Sequence, residues 1–129
     1  MGIDIRWENE SGNQLEEISD PKNYFGFALA LSPLEKTVCL RFIDPYGDTV
    51  FNQQQIPVFI SELQALQQLV TSEQLDGLRE KLKMEHQEYN STKTETRTAI
   101  EISEHITKIL ELAQRSTDKV HTYLKFYGD

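Results

Sequence analysis

Residues 38–52 read Val-Cys-Leu-Arg-Phe-Ile-Asp-Pro-Tyr-Gly-Asp-Thr-Val-Phe-Asn, and this stretch constrains the fold most. Two short apolar runs flank a bend of Asp44, Pro45, Tyr46, Gly47 and Asp48. Val38, Leu40 and Phe42 alternate with Cys39, Arg41 and Ile43. Thr49, Val50 and Phe51 resume the β-branched and aromatic character. That pattern predicts a β-hairpin. Pro45 pre-sets φ, Asp44 can accept a local backbone N–H, and Gly47 tolerates positive φ. The stretch argues for a sheet at the core and reveals no reaction.

The rest of the chain is read around that hairpin. Ile3, Ile5 and Trp7 alternate with Asp4 and Arg6, as in a strand with one apolar face. Residues 8–20 carry five acidic side chains with Leu15 and Ile18 as apolar anchors, and read as an exposed loop with one helical turn near 15–19. Phe25, Phe27, Leu29 and Leu31 alternate with Tyr24, Gly26, Ala28 and Ala30. This favours a strand, with a buried helix as the competing reading because Ala-Leu-Ala-Leu has high helix propensity. Pro57 suits a first helical turn. Ile56, Phe59, Ile60, Leu63, Leu66, Leu69 and Val70 then form one amphipathic stripe.

Thr71-Ser72-Glu73-Gln74 has a capping-box pattern and predicts a second helix carrying Leu75, Leu78 and Leu82. The polar residues 85–97 read as a loop. A third helix is expected over 98–115, with Ile102, Ile106, Ile109, Leu110 and Ala113 inward. Val120, Thr122, Leu124 and Phe126 alternate with His121, Tyr123, Lys125 and Tyr127 as a final strand, which can pair with residues 3–7. The expected architecture is a single α+β domain spanning 1–129. It has a mostly antiparallel sheet of about five strands, three helices packed on one face, and the C-terminal strand returning to the sheet.

A chain of 129 residues is one domain by size and can bury a core without disulfide or metal. No apolar run approaches the ~20 residues of a membrane-spanning helix. The N-terminus lacks the layout of a secretion signal, so a cytoplasmic location is expected. The lone Cys39 reads as a buried thiol. The formal charge of −8, from 21 acidic and 13 basic residues, disfavours phosphate backbones and membrane anions and can steer a basic partner.

Signatures of catalysis are sparse. His86, His105 and His121 are scattered without metal-ligand spacing. There is no Gly-rich phosphate cradle and no nucleophile elbow. Catalytic residues, cofactors and metals are therefore assigned to none. Asp44 and Asp48 could hold a divalent metal in an enzyme, which is the rival reading. A DNA-mimic inhibitor would fit the charge but not the interspersed Lys and Gln. Arg79, Lys81 and Lys83 form a small basic stripe that reads as a solvated helix face, so nucleic acid is not expected as a partner.

The segments 1–7, 40–52 and 123–129, with Glu62-Leu63, resemble an uncharacterised family of small acidic bacterial proteins. Such proteins are similar to the immunity partners that neutralise bacterial toxins. The resemblance implies no catalytic residues. It implies a protein partner, basic or toxin-like; binding such a partner needs complementary charge and a few aromatic anchors. Tyr24, Asp44, Tyr46, Asp48, Tyr123 and Tyr127 are the candidates. A homodimer, through an unpaired edge strand or the Leu63/Leu66 helix face, is a further expectation.

Overall fold

The computed structural model describes residues 2–31, 34–71 and 99–128. Its strands are β1 (Asp4–Asn9), β2 (Gln14–Ile18), β3 (Asp48–Phe51) and β4 (Thr122–Tyr127). Its helices are α1 (Tyr24–Leu31), α2 (Ile56–Thr71) and α3 (Ala99–Ser116). The strands form one antiparallel sheet in the order β2-β1-β4-β3. The α+β class and the return of the C-terminal strand are as expected, with β4 lying between β1 and β3. The described residues form four strands where about five were expected.

The sheet alternates as its sequence dictates. Ile5 lies opposite Phe126, and Phe51 opposite Leu124, all on the covered face. The helices close over that face. Phe126 is the hub, with the rings of Phe51 and Phe59 each centred 5.3 Å away and Phe25 at 6.1 Å. From α2, Ile56, Phe59, Leu63, Leu66 and Val70 are buried; from α3, Ile102, Ile106, Ile109, Leu112 and Ala113. Each fully buried aliphatic or aromatic side chain contributes about 1.5–3 kcal/mol. Leu63 and Leu66 face this core, so that helix face is not available to a second copy.

Four local readings are corrected. The hairpin over 38–52 does not form. Residues Leu40–Phe42 make a 3₁₀ turn, and β3 pairs with β4 instead. The stretch had apolar residues at both parities, so Cys39, Leu40 and Ile43 go inward while Val38 and Phe42 stay out. Residues 14–18 are a strand and not loop or helical turn. The Asn9 carboxamide oxygen accepts the N–H groups of Ser11 and Asn13, and Gly12 adopts φ 82°, so the chain reverses tightly into β2.

Residues 24–31 are helical and not a strand. Phe25, Ala28 and Leu29 recur on one buried face, and the Asp20 carboxylate accepts the first helical N–H groups. The final strand begins at Thr122, because Asp118 and His121 both take positive φ in the preceding turn and Val120 is exposed. The predicted helix after Thr71 and the loop over 85–97 lie outside the described residues. No helix among the described residues is long and apolar enough to cross a membrane.

Candidate interaction face

The segment between α1 and β3 has little secondary structure, yet side chains tie it down. Glu62 on α2 accepts three consecutive backbone N–H groups, from Val38 at 2.6 Å, Cys39 at 2.9 Å and Leu40 at 3.0 Å. A row of free amides at a turn is an anion site, and here the chain's own carboxylate occupies it. Thr37 Oγ1 accepts the Arg41 N–H at 3.1 Å. Asp44 then organises the bend. Its carboxylate accepts the Tyr46 N–H at 2.8 Å, its carbonyl accepts from Gly47, and its own N–H donates to Thr49 Oγ1 at 3.0 Å. Thr49 Oγ1 also lies 3.4 Å from the Phe42 carbonyl.

The bend docks on the end of the sheet. The Gly128 N–H donates to the Gly47 carbonyl at 2.8 Å. A Cβ on Gly128 would fall 2.4 Å from the Pro45 carbonyl carbon, so the approach requires glycine.

This scaffold holds apolar side chains out in water. Val38 and Phe42 are each 61% exposed, Val50 50% and Tyr46 78%. The Arg41 guanidinium sits 4.8 Å from the centre of the Phe42 ring. Asp44 and Asp48 are exposed in the same bend as Tyr46. An exposed aromatic and aliphatic group bordered by carboxylates has the make-up of a protein-binding patch.

The uncovered sheet face carries Val50 opposite Lys125, and around it charged groups pair with one another. Arg6 Nε donates to Glu17 at 3.1 Å, and the Tyr127 hydroxyl donates to Glu8. The Arg6 guanidinium lies 4.5 Å, and the Lys125 ammonium 4.8 Å, from the centre of the Tyr127 ring. Arg6 and Lys125 are direct cross-strand neighbours, a like-charged pairing that the intervening carboxylates and ring offset.

The six residues predicted from sequence therefore divide. Asp44, Tyr46 and Asp48 lie in the bend, and Asp48 is paired with Tyr127 across β3 and β4. Tyr127 and Tyr123 belong to β4 and are partly covered. Tyr24 lies away from them, on α1, with its hydroxyl on Glu101 at 2.7 Å. Sequence reasoning did not single out Val38, Phe42 and Val50 as surface residues, since a hairpin over 38–52 left its faces unassigned. The apolar residues at both parities of 38–43 were the available signal.

Among the described residues no group of three or more His, Cys, Asp or Glu side chains is placed to hold a metal ion. Cys39 is buried, and that burial, aided by the Glu62 charge, pushes its thiol up and away from thiolate. His121 is exposed, 3.0 Å from Glu10. His105 is buried beside Asp20. Comparison of the chain with protein-family models, curated proteins and solved structures gives no match.

Proposed function

We propose that this protein is an acidic binding module that neutralises or regulates a basic protein partner, in the manner of an immunity protein. The patch of Val38, Phe42, Tyr46 and Val50 is its contact surface. The observation that carries the reading is the exposure of Val38, Phe42 and Tyr46 on a segment tied down by Glu62 and Asp44, with Val50 exposed on β3. Holding them in place beforehand lowers the ordering cost of association. The charge of −8 gives long-range attraction to a cationic surface, and Asp44 and Asp48 give local pairing beside the apolar anchors.

The test is capture with immobilised wild-type protein and with a Phe42→Ala/Tyr46→Ala variant, followed by titration calorimetry on the captured protein. The reading expects a basic partner, bound at least about a hundredfold more weakly by the double variant. Binding by the wild type should also weaken as salt rises. Recovery of no basic protein, or equal affinity for both forms, would sink it.

A further inference from the structure

We propose that Asp20 and His105 form an acid-sensitive latch that holds helix α1 against α3. The Asp20 side chain is 0% exposed. Its carboxylate accepts the Tyr24 N–H at 2.7 Å and the Phe25 N–H at 2.9 Å, so it anchors the first turn of α1. Asp20 is itself held by its own N–H, which donates to the Asp4 carboxylate on β1 at 3.0 Å.

From α3, His105 reaches this anchor. It is 6% exposed, and its Nε2 stops 3.8 Å from Asp20 Oδ1 without a hydrogen-bond partner among the described residues. The Tyr24 ring covers the imidazole, with centroids 5.7 Å apart. The Tyr24 hydroxyl is tied to Glu101, one turn before His105 on α3.

Adding a proton here places a cation in an enclosed site. Among the described residues, the charged and titratable groups around this site include Asp20 from the α1 approach, Asp4 from β1 through Asp20, Tyr24 from α1, and Glu101 and Lys108 from α3. Asp20 attracts the proton, but its carboxylate is already committed to two amides. Glu101 is engaged by the Tyr24 hydroxyl, and Lys108 repels. Burial, with Lys108 adding to it and Asp20 opposing, holds the imidazole below the usual histidine range.

The native state therefore favours neutral His105, and the undocked state takes the proton more readily. Stability from this contact is complete above about pH 6.5, the ordinary histidine value, and is lost as pH falls from there through the lower folded value. The region that gives way is α1 with its anchor. The rings of Phe51, Phe59 and Phe126, on β3, α2 and β4, carry no titratable group.

The test is a proton NMR titration of the whole chain from pH 8 to 5. It follows the His105 ring and, by hydrogen exchange corrected for its intrinsic pH dependence, the amides of Tyr24, Phe25, Phe59 and Leu63. The latch predicts His105 titrating below about 6.5. It also predicts opening at Tyr24 and Phe25 in α1 rising by up to about tenfold per pH unit below that point, with Phe59 and Leu63 steady. In His105→Gln the extra opening should vanish. Titration of the wild-type ring at or above about 6.5 would overturn the proposal even were the variant not to fold. Equal loosening of α1 and α2, or unchanged pH dependence in His105→Gln, would overturn it as well.

Discussion

Glu62 and Cys39 are joined across 23 positions of sequence by a hydrogen bond of 2.9 Å from the Cys39 backbone N–H to the Glu62 carboxylate. The same carboxylate accepts from Val38 and Leu40, so one side chain of α2 sets the path of the segment that leads into β3. Hydrogen bonds to a charged group contribute about 1.5–3 kcal/mol each when buried, and this site is half open to water. Glu62→Ala is expected to lower unfolding stability by about 2–3 kcal/mol in a urea titration, with Glu62→Gln costing less. A loss under about 0.5 kcal/mol for Glu62→Ala would show that the segment holds its path without the clamp.

Cys39 provides a second probe of the same region. Because burial and then the Glu62 charge raise its thiol, the folded state favours the protonated form. Stability is then complete below about pH 8.5, the ordinary thiol value, and declines as pH rises from there through the raised folded value. Reaction with a thiol reagent at pH 8 should be at least about a hundredfold slower in the folded protein than in urea. Equal rates would place the thiol in solvent.

Gly128→Ala sets its Cβ against the Pro45 carbonyl, which is backbone and cannot rotate away. The 44–48 bend and the end of β4 must then separate. A cost of about 1–3 kcal/mol is expected, along with weaker protection of the Gly128 amide, whose partner is the Gly47 carbonyl. Wild-type stability in this variant would mean that the bend moves freely against the sheet.

Core and patch should respond in opposite ways. Phe126→Ala removes the ring shared by Phe25, Phe51 and Phe59 and is expected to cost about 3–5 kcal/mol. Phe42→Ala removes a ring that is 61% exposed, and its thermal midpoint should match wild type within the effect of about 0.5 kcal/mol. Marked destabilisation by Phe42→Ala would assign that ring to folding rather than to binding.

Long periodic segments were legible from the residues alone. The stripe from Ile56 to Val70 specified α2, the isoleucine spacing of 102, 106 and 109 specified α3, and the tail's alternation specified β4. In each, side chains on one face meet the core whatever the neighbours are, so the period carries the information. The antiparallel partnership of β1 with β4 was also accessible, because two terminal strands with matching alternation suit each other.

Tertiary structure decided the rest. Residues 38–43 suggest a strand, but the N–H groups of Val38, Cys39 and Leu40 face Glu62 of α2, and that distant carboxylate takes them instead of a partner strand. Residues 24–31 favour a strand by their alternation, and the Asp20 carboxylate turns them to helix by accepting the first amides. Exposure of Phe42, and burial of Asp20 and His105, follow from these same contacts. A polar group brought in from elsewhere in the chain leaves no periodicity at the place where it acts, so local pattern could not announce it.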